Sequence, residues 1–111
     1  MANLPLNTFK TITSVVPTQE IILYTAPVGI STVFLMAQVT NIGPSYQSIT
    51  FSHKRGNTTT EIVKDYSIPD NDTLTLLPGK LVLESGDSIS VIGSSSTDLK
   101  FIASILETSN Q

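Results

Sequence analysis

His53, followed by Lys54 and Arg55, is the one imidazole in the sequence, and so the one candidate of the residue type most used as a general base. A serine hydroxyl attacks a substrate only when a base takes its proton and a third group orients that base. His53 would serve if a serine and an acid converged on it, but no Gly-x-Ser-x-Gly turn presents such a serine. The expected role of His53 is a solvated residue near a hairpin tip. The chain has no cysteine, which excludes a disulfide framework and thiolate metal ligation. Asp70-Asn71-Asp72 spaces two carboxylates as a calcium loop does. The glycine and glutamate that complete such a loop are missing, which leaves a turn whose side chains bond local amides. Glu84 and Asp87 bracket Gly86 and are expected to cap the backbone in the same way. Tyr24, Tyr46 and Tyr66 offer the aromatic platforms that carbohydrate sites use, although tryptophan is absent. Each tyrosine better fits the rim or core of the fold with its hydroxyl at the surface. Phosphate loops and dinucleotide fingerprints are absent.

Whatever positions these residues is one domain, because the chain has 111 residues. A chain of this size buries roughly two thirds of its unfolded surface, enough for a core. The net charge is −3 and the isoelectric point is about 4.8, so no basic footprint for nucleic acid exists. Charged residues are 14% of the chain and hydrophobic ones 40%, with a mean hydropathy of +0.18. Serine and threonine, roughly a quarter of the chain, must cover much of the surface. Copies of such a neutral hydroxyl surface repel one another only weakly, which suits an assembled state. The first residues show neither the positive segment nor the apolar run of a secretory leader. No stretch reaches the roughly 20 apolar residues of a helical membrane span. The expectation is a non-enzymatic protein without cofactor or metal, binding neither nucleic acid nor membrane.

Turn residues punctuate the chain at Pro17, Pro27-Val28-Gly29, Gly43-Pro44, Gly56-Asn57, Pro69 to Asp72, Pro78-Gly79, Ser85-Gly86-Asp87 and Gly93 to Ser96. The runs between them are rich in Val, Ile, Thr and Phe, and none keeps a helical period. Strands are expected over 8–16, 19–24, 31–40, 47–54, 58–66, 73–77, 80–83, 88–92 and 99–106. The fold class is all-β, a single antiparallel two-sheet β-sandwich of about eight strands, jelly-roll or immunoglobulin-like. Gly56-Asn57 marks a hairpin. Pro78-Gly79 fits a type II turn, and the turn at residues 84–87 suggests a further hairpin. An extended arm over 1–7 and a tail over 108–111 flank the sandwich at 8–107. Strict alternation groups Val33, Leu35, Ala37 and Val39 on one face of the third strand and Phe34, Met36 and Gln38 on the other. In the last strand it sets Leu99, Phe101, Ala103 and Ile105 against Ile102 and Leu106. Strands apolar on both faces point to a surface covered by another molecule. The candidate interface residues are Leu4, Leu6, Phe34, Met36, Ile102 and Leu106. The candidate loop contacts are Tyr46, Lys54 and Arg55.

Several motifs recur in a familiar order. Ile22-Leu23-Tyr24-Thr25-Ala26-Pro27-Val28-Gly29 precedes Val33-Phe34-Leu35-Met36-Ala37-Gln38-Val39-Thr40-Asn41. Ile62-Val63-Lys64-Asp65-Tyr66-Ser67-Ile68-Pro69 and Gly79-Lys80-Leu81-Val82-Leu83-Glu84-Ser85-Gly86-Asp87-Ser88-Ile89 follow, and Ile105-Leu106-Glu107 closes the series. Over residues 19–107 the chain resembles small virion structural proteins of tailed bacteriophages, cyanophage-like myoviruses included. The motifs that carry the likeness are turns and strand cores. The resemblance implies a virion component, made in the host bacterial cytoplasm, that assembles by contacts with other virion proteins and as a homo-oligomer. A capsid decoration protein is the expected form. A neck, tail or baseplate accessory, or a module binding a host glycan or receptor, are the alternatives.

Overall fold

The structure, a computed structural model, describes residues 7–109. The strands are β1 (Asn7–Val15), β2 (Ile21–Thr25), β3 (Ile30–Asn41), β4 (Gln47–Arg55), β5 (Thr58–Ile68), β6 (Asp72–Thr75), β7 (Leu81–Leu83), β8 (Ser88–Gly93) and β9 (Leu99–Ser109). Five of them form one antiparallel sheet in the order β1-β9-β3-β6, with β7 also pairing β3. The other four form a second sheet in the order β2-β8-β4-β5. The chain therefore crosses from sheet to sheet after β1, β2, β3, β5, β7 and β8, which is the double Greek key of a jelly roll and not the immunoglobulin arrangement.

Local chemistry explains the turns. Arg55 pairs with Thr58 across a two-residue loop, and Gly56 takes φ +57°. A left-handed glycine at the first central position is the II′ geometry that matches strand twist. The Pro78-Gly79 segment differs from the expected type II turn. Leu76 and Leu77 just before it are buried, and Leu76 N–H donates to Ala37 O at 2.9 Å. Those two leucines hold the segment against β3, so β6 and β7 pair β3 in succession, at Gln38–Asn41 and at Thr32–Phe34. They are two halves of one interrupted edge strand, and Gly79 is not left-handed. The turn at residues 84–87 is tight, with Gly86 at φ +88°, but it carries the chain from one sheet to the other and makes no hairpin.

The largest correction lies in β3. Phe34 pairs Ile105 while Met36 pairs Ser104, so Leu35 is an extra residue, a β-bulge. The bulge reverses the alternation at its position. Thr32 and Phe34 point inward before it, and Ala37, Val39 and Asn41 point inward after it; all five are buried. Phe34 is therefore a core residue, fully enclosed, and not part of any outward face. Tyr24 meets it edge-on at 5.9 Å, and Phe51 of one sheet stacks on Phe101 of the other at 5.9 Å.

Candidate functional site

Three clusters of polar or exposed side chains emerge from this scaffold. The first centres on Asp87, in the turn before β8. Its carboxylate accepts from Arg55 Nε at 2.9 Å and Arg55 Nη2 at 2.7 Å, and from the Glu84 backbone N–H at 3.0 Å. His53 Nε2 lies 3.1 Å from Asp87 Oδ2. Asp87 is buried, and the Arg55 guanidinium holds its carboxyl well below the usual carboxylate range, assisted by the Glu84 amide and His53. His53 is thus bonded to an internal carboxylate and is not the solvated residue expected from its position. An acid does converge on the imidazole, but that acid is already occupied by Arg55 and a backbone amide. The group clamps the end of the β4–β5 hairpin to the β7–β8 turn.

The second cluster bridges the sheets. Tyr24 Oη on β2 lies 2.8 Å from Thr32 Oγ1 on β3 and donates to Glu107 Oε2 on β9 at 2.5 Å. Lys10 Nζ pairs with the other Glu107 oxygen at 2.9 Å. Burial, then the Glu107 carboxylate, pushes the Tyr24 phenol up to about 12. The phenol and then Lys10 hold Glu107 below its ordinary range. Tyr24 is therefore an internal strut and no sugar platform. Replacing it by Phe removes a part-buried bridge with a charged acceptor, and is expected to lower unfolding stability by about 1–2 kcal/mol. Urea denaturation measures this, and an unchanged midpoint would contradict the strut role.

The third feature is the outward face of the five-stranded sheet. Cross-strand partners share a face, so the register can be read across it. Phe9 pairs Leu106, Leu106 pairs Val33, and Val33 pairs Val82. Four apolar side chains thus lie side by side across four strands. Phe9 is 72% exposed and Val82 54% exposed. The next row holds Thr11, Ser104 and Met36, with Leu35 beside Met36 because of the bulge. Then come Thr13, Ile102, Gln38 and Thr75, and finally Val15, Lys100, Thr40 and Thr73. Apolarity thus concentrates at one end of the face. Two depressions open on it, one of about 340 Å³ lined by Phe9, Thr11, Leu35 and Ser104. The other, about 440 Å³, is lined by Thr13, Val15, Thr40, Lys100 and Ile102.

Met36, Ile102 and Leu106, singled out from sequence, lie together on this outward face. Phe34 does not, and Leu4 and Leu6 lie outside the described residues. Phe9, Val33 and Val82 complete the row; strict alternation sets Val33 with Ala37 and Val39, and the bulge in β3 separates it from them, so the alignment depends on a register that no local pattern reveals. Tyr46 is 66% exposed, on a loop that buried Asn41 organises by donating to Ser45 O and Ile68 O and accepting from Gly43 N–H. Lys54 and Arg55 are committed to internal ion pairs, Lys54 with Glu20 at 3.1 Å and Arg55 with Asp87 and Glu84. In Asp70-Asn71-Asp72 the Asp72 carboxylate serves a local turn, its Oδ1 capping the Thr73 N–H at 2.8 Å, and Asn71 is left-handed at φ +58°.

No protein-family profile matches the sequence, and no curated protein matches it. Solved structures do match in fold. A chain of the acid-stable capsid of Helicobacter pylori bacteriophage KHP30 superposes with a TM-score of 0.59 at 10% identity, over 96% of this chain and 90% of that one. A chain of Bacillus endospore appendages, described as disulfide-linked pili, gives 0.57 at 10% identity over 100% and 98%. A chain of the infectious bursal disease virus particle gives 0.57 at 11% identity, over 94% of this chain and 31% of that one. This chain therefore spans about a third of the bursal disease virus chain. At such identities the likeness is one of fold.

Proposed function

We propose that this chain is a non-enzymatic structural protein of a virus particle, a bacteriophage capsid decoration protein that docks through the outward face of its five-stranded sheet. The observation that carries this is the Phe9–Leu106–Val33–Val82 row, an apolar stripe on a sheet face that a free monomer would leave wet. The polar clusters elsewhere bond internally and serve the fold. The likeness to a chain of the KHP30 capsid, nearly complete in both directions, supports a head protein over a neck, tail or baseplate accessory. The likeness to appendage pili is as complete, but a chain without cysteine has no disulfide to offer.

Quantitative mass spectrometry of purified particles tests the proposal through copy number. Hundreds of copies are expected for a surface lattice; a few dozen would move the protein to the neck, tail or baseplate, and none would overturn the virion reading. A triple variant, Phe9→Ser, Val82→Ser and Leu106→Ser, is expected to keep its fold and lose incorporation at least tenfold, since central apolar anchors dominate interface energies. Undiminished incorporation would remove this face from the interface.

A further inference from the structure

The two sheets present four edges among the described residues, and three of them are blunted. β5 meets β4 through two register shifts, carries Glu61, Lys64 and Asp65, and has Asp65 left-handed at φ +47°. β2 has five residues and a register shift. β6 and β7 have four and three residues and are separated by Pro78. Short, bulged or charged edges resist pairing with another chain. β1 is neither short nor bulged. It runs nine residues in unbroken register with β9, holds neither proline nor glycine, and bears one charge, Lys10, neutralised by Glu107 of its own chain.

The direction of the free backbone groups follows from one bond. Val16 N–H donates to Leu99 O at 2.9 Å, which extends the β1–β9 register by one hydrogen-bonded pair. Alternation in an antiparallel ladder then turns the N–H and C=O of Thr8, Lys10, Ile12 and Ser14 toward β9. Those of Asn7, Phe9, Thr11, Thr13 and Val15 point to the open edge, where the Val15 carbonyl also accepts from the Ser14 hydroxyl at 3.0 Å. These five residues are spaced symmetrically about Thr11.

We infer that a second copy of this chain pairs with that edge, β1 against β1 and antiparallel, across a two-fold axis at Thr11. This deepens the assembly reading and rests on it. The register sets Thr11 against the partner's Thr11, Phe9 against the partner's Thr13, and Asn7 against the partner's Val15, and it closes all five outward pairs. Threonine pairs and aromatic pairs with β-branched residues are favourable across strands. On the other face Lys10 meets the partner's Ile12, so no like charges stand directly opposite. The isologous contact joins two five-stranded sheets into one and brings their outward faces into a single surface, with Phe9 at the junction.

Light scattering on the purified full chain is expected to give a mass twice 11.9 kDa. Thr11→Cys introduces the sole thiol of the chain. Cα atoms of a hydrogen-bonded pair lie about 5.5 Å apart, within disulfide reach, so mild oxidation is expected to give a covalent dimer. Thr11→Pro leaves the β1–β9 ladder intact, because the lost N–H faces outward. Its circular dichroism is expected to be unchanged and its dimer weakened at least tenfold. A monomer at the highest soluble concentration overturns the inference. So does a dimer that survives Thr11→Pro, or one that cross-links through Ile102→Cys and not through Thr11→Cys. Copy number in particles separates the two readings. A monomer abundant in particles sinks the edge pairing alone, and a dimer absent from particles sinks the virion role alone.

Discussion

Phe34→Ala is expected to lower the unfolding free energy by about 3–5 kcal/mol, the cost of emptying a large aromatic site in a packed core. For a domain with only about 5–15 kcal/mol in hand, that is a large share of total stability. The melting temperature should fall by on the order of 15 °C. The ring is fully enclosed and touches Tyr24 edge-on, so its loss also loosens the strut between the sheets. Leu106→Ser, opposite Val33 on the outward face, should change stability by far less. Calorimetry on the two variants reads this contrast directly. A Phe34→Ala protein that melts within a degree or two of the parent would refute the bulge and the inward placement it produces.

Asp87→Asn is expected to lower stability at neutral pH by about 3 kcal/mol, because it discards the charge that Arg55, His53 and the Glu84 amide converge on. It should also change the acid limb. Asp87 is held below its unfolded pKa in the native chain, so below about pH 4 the unfolded state binds more protons than the folded one. Its stabilisation is complete above the unfolded value and is lost as pH falls toward the folded value. Glu107 and Glu20 are shifted the same way, Glu107 by Tyr24 and Lys10 and Glu20 by Ser90 and Lys54. Unfolding midpoints of the parent should therefore fall steadily between about pH 5 and pH 2. The variant should start lower and fall less steeply. Parallel acid limbs would show that Asp87 is not the group being titrated.

The elements legible in the sequence are those governed by neighbours in the chain. Gly56-Asn57 announces the β4–β5 hairpin because a two-residue loop fixes its own register. The faces of β9 follow from unbroken alternation, and its inward residues are the expected ones. β3 misleads because one inserted residue reverses the parity, and Leu35 looks like any other aliphatic in a strand. β6 and β7 mislead because Pro78-Gly79 favours a turn locally, while the burial of Leu76 and Leu77 is decided by the core. The Asp87 clamp was hidden for a similar reason. Arg55 and Asp87 are 32 residues apart, and they meet because β4 and β8 pair in one register. The outward row needed three such registers at once.

The interrupted edge formed by β6 and β7 has a consequence for how large an assembly can grow. The five-stranded sheet has one continuous margin and one broken margin. If its continuous margin is spent on a two-fold partner, each copy has a valence of one for sheet extension. Association through strands then terminates at a closed pair and cannot propagate into a fibre. On the proposed assembly role, such a closed pair is the unit that would meet a surface able to cover the apolar row.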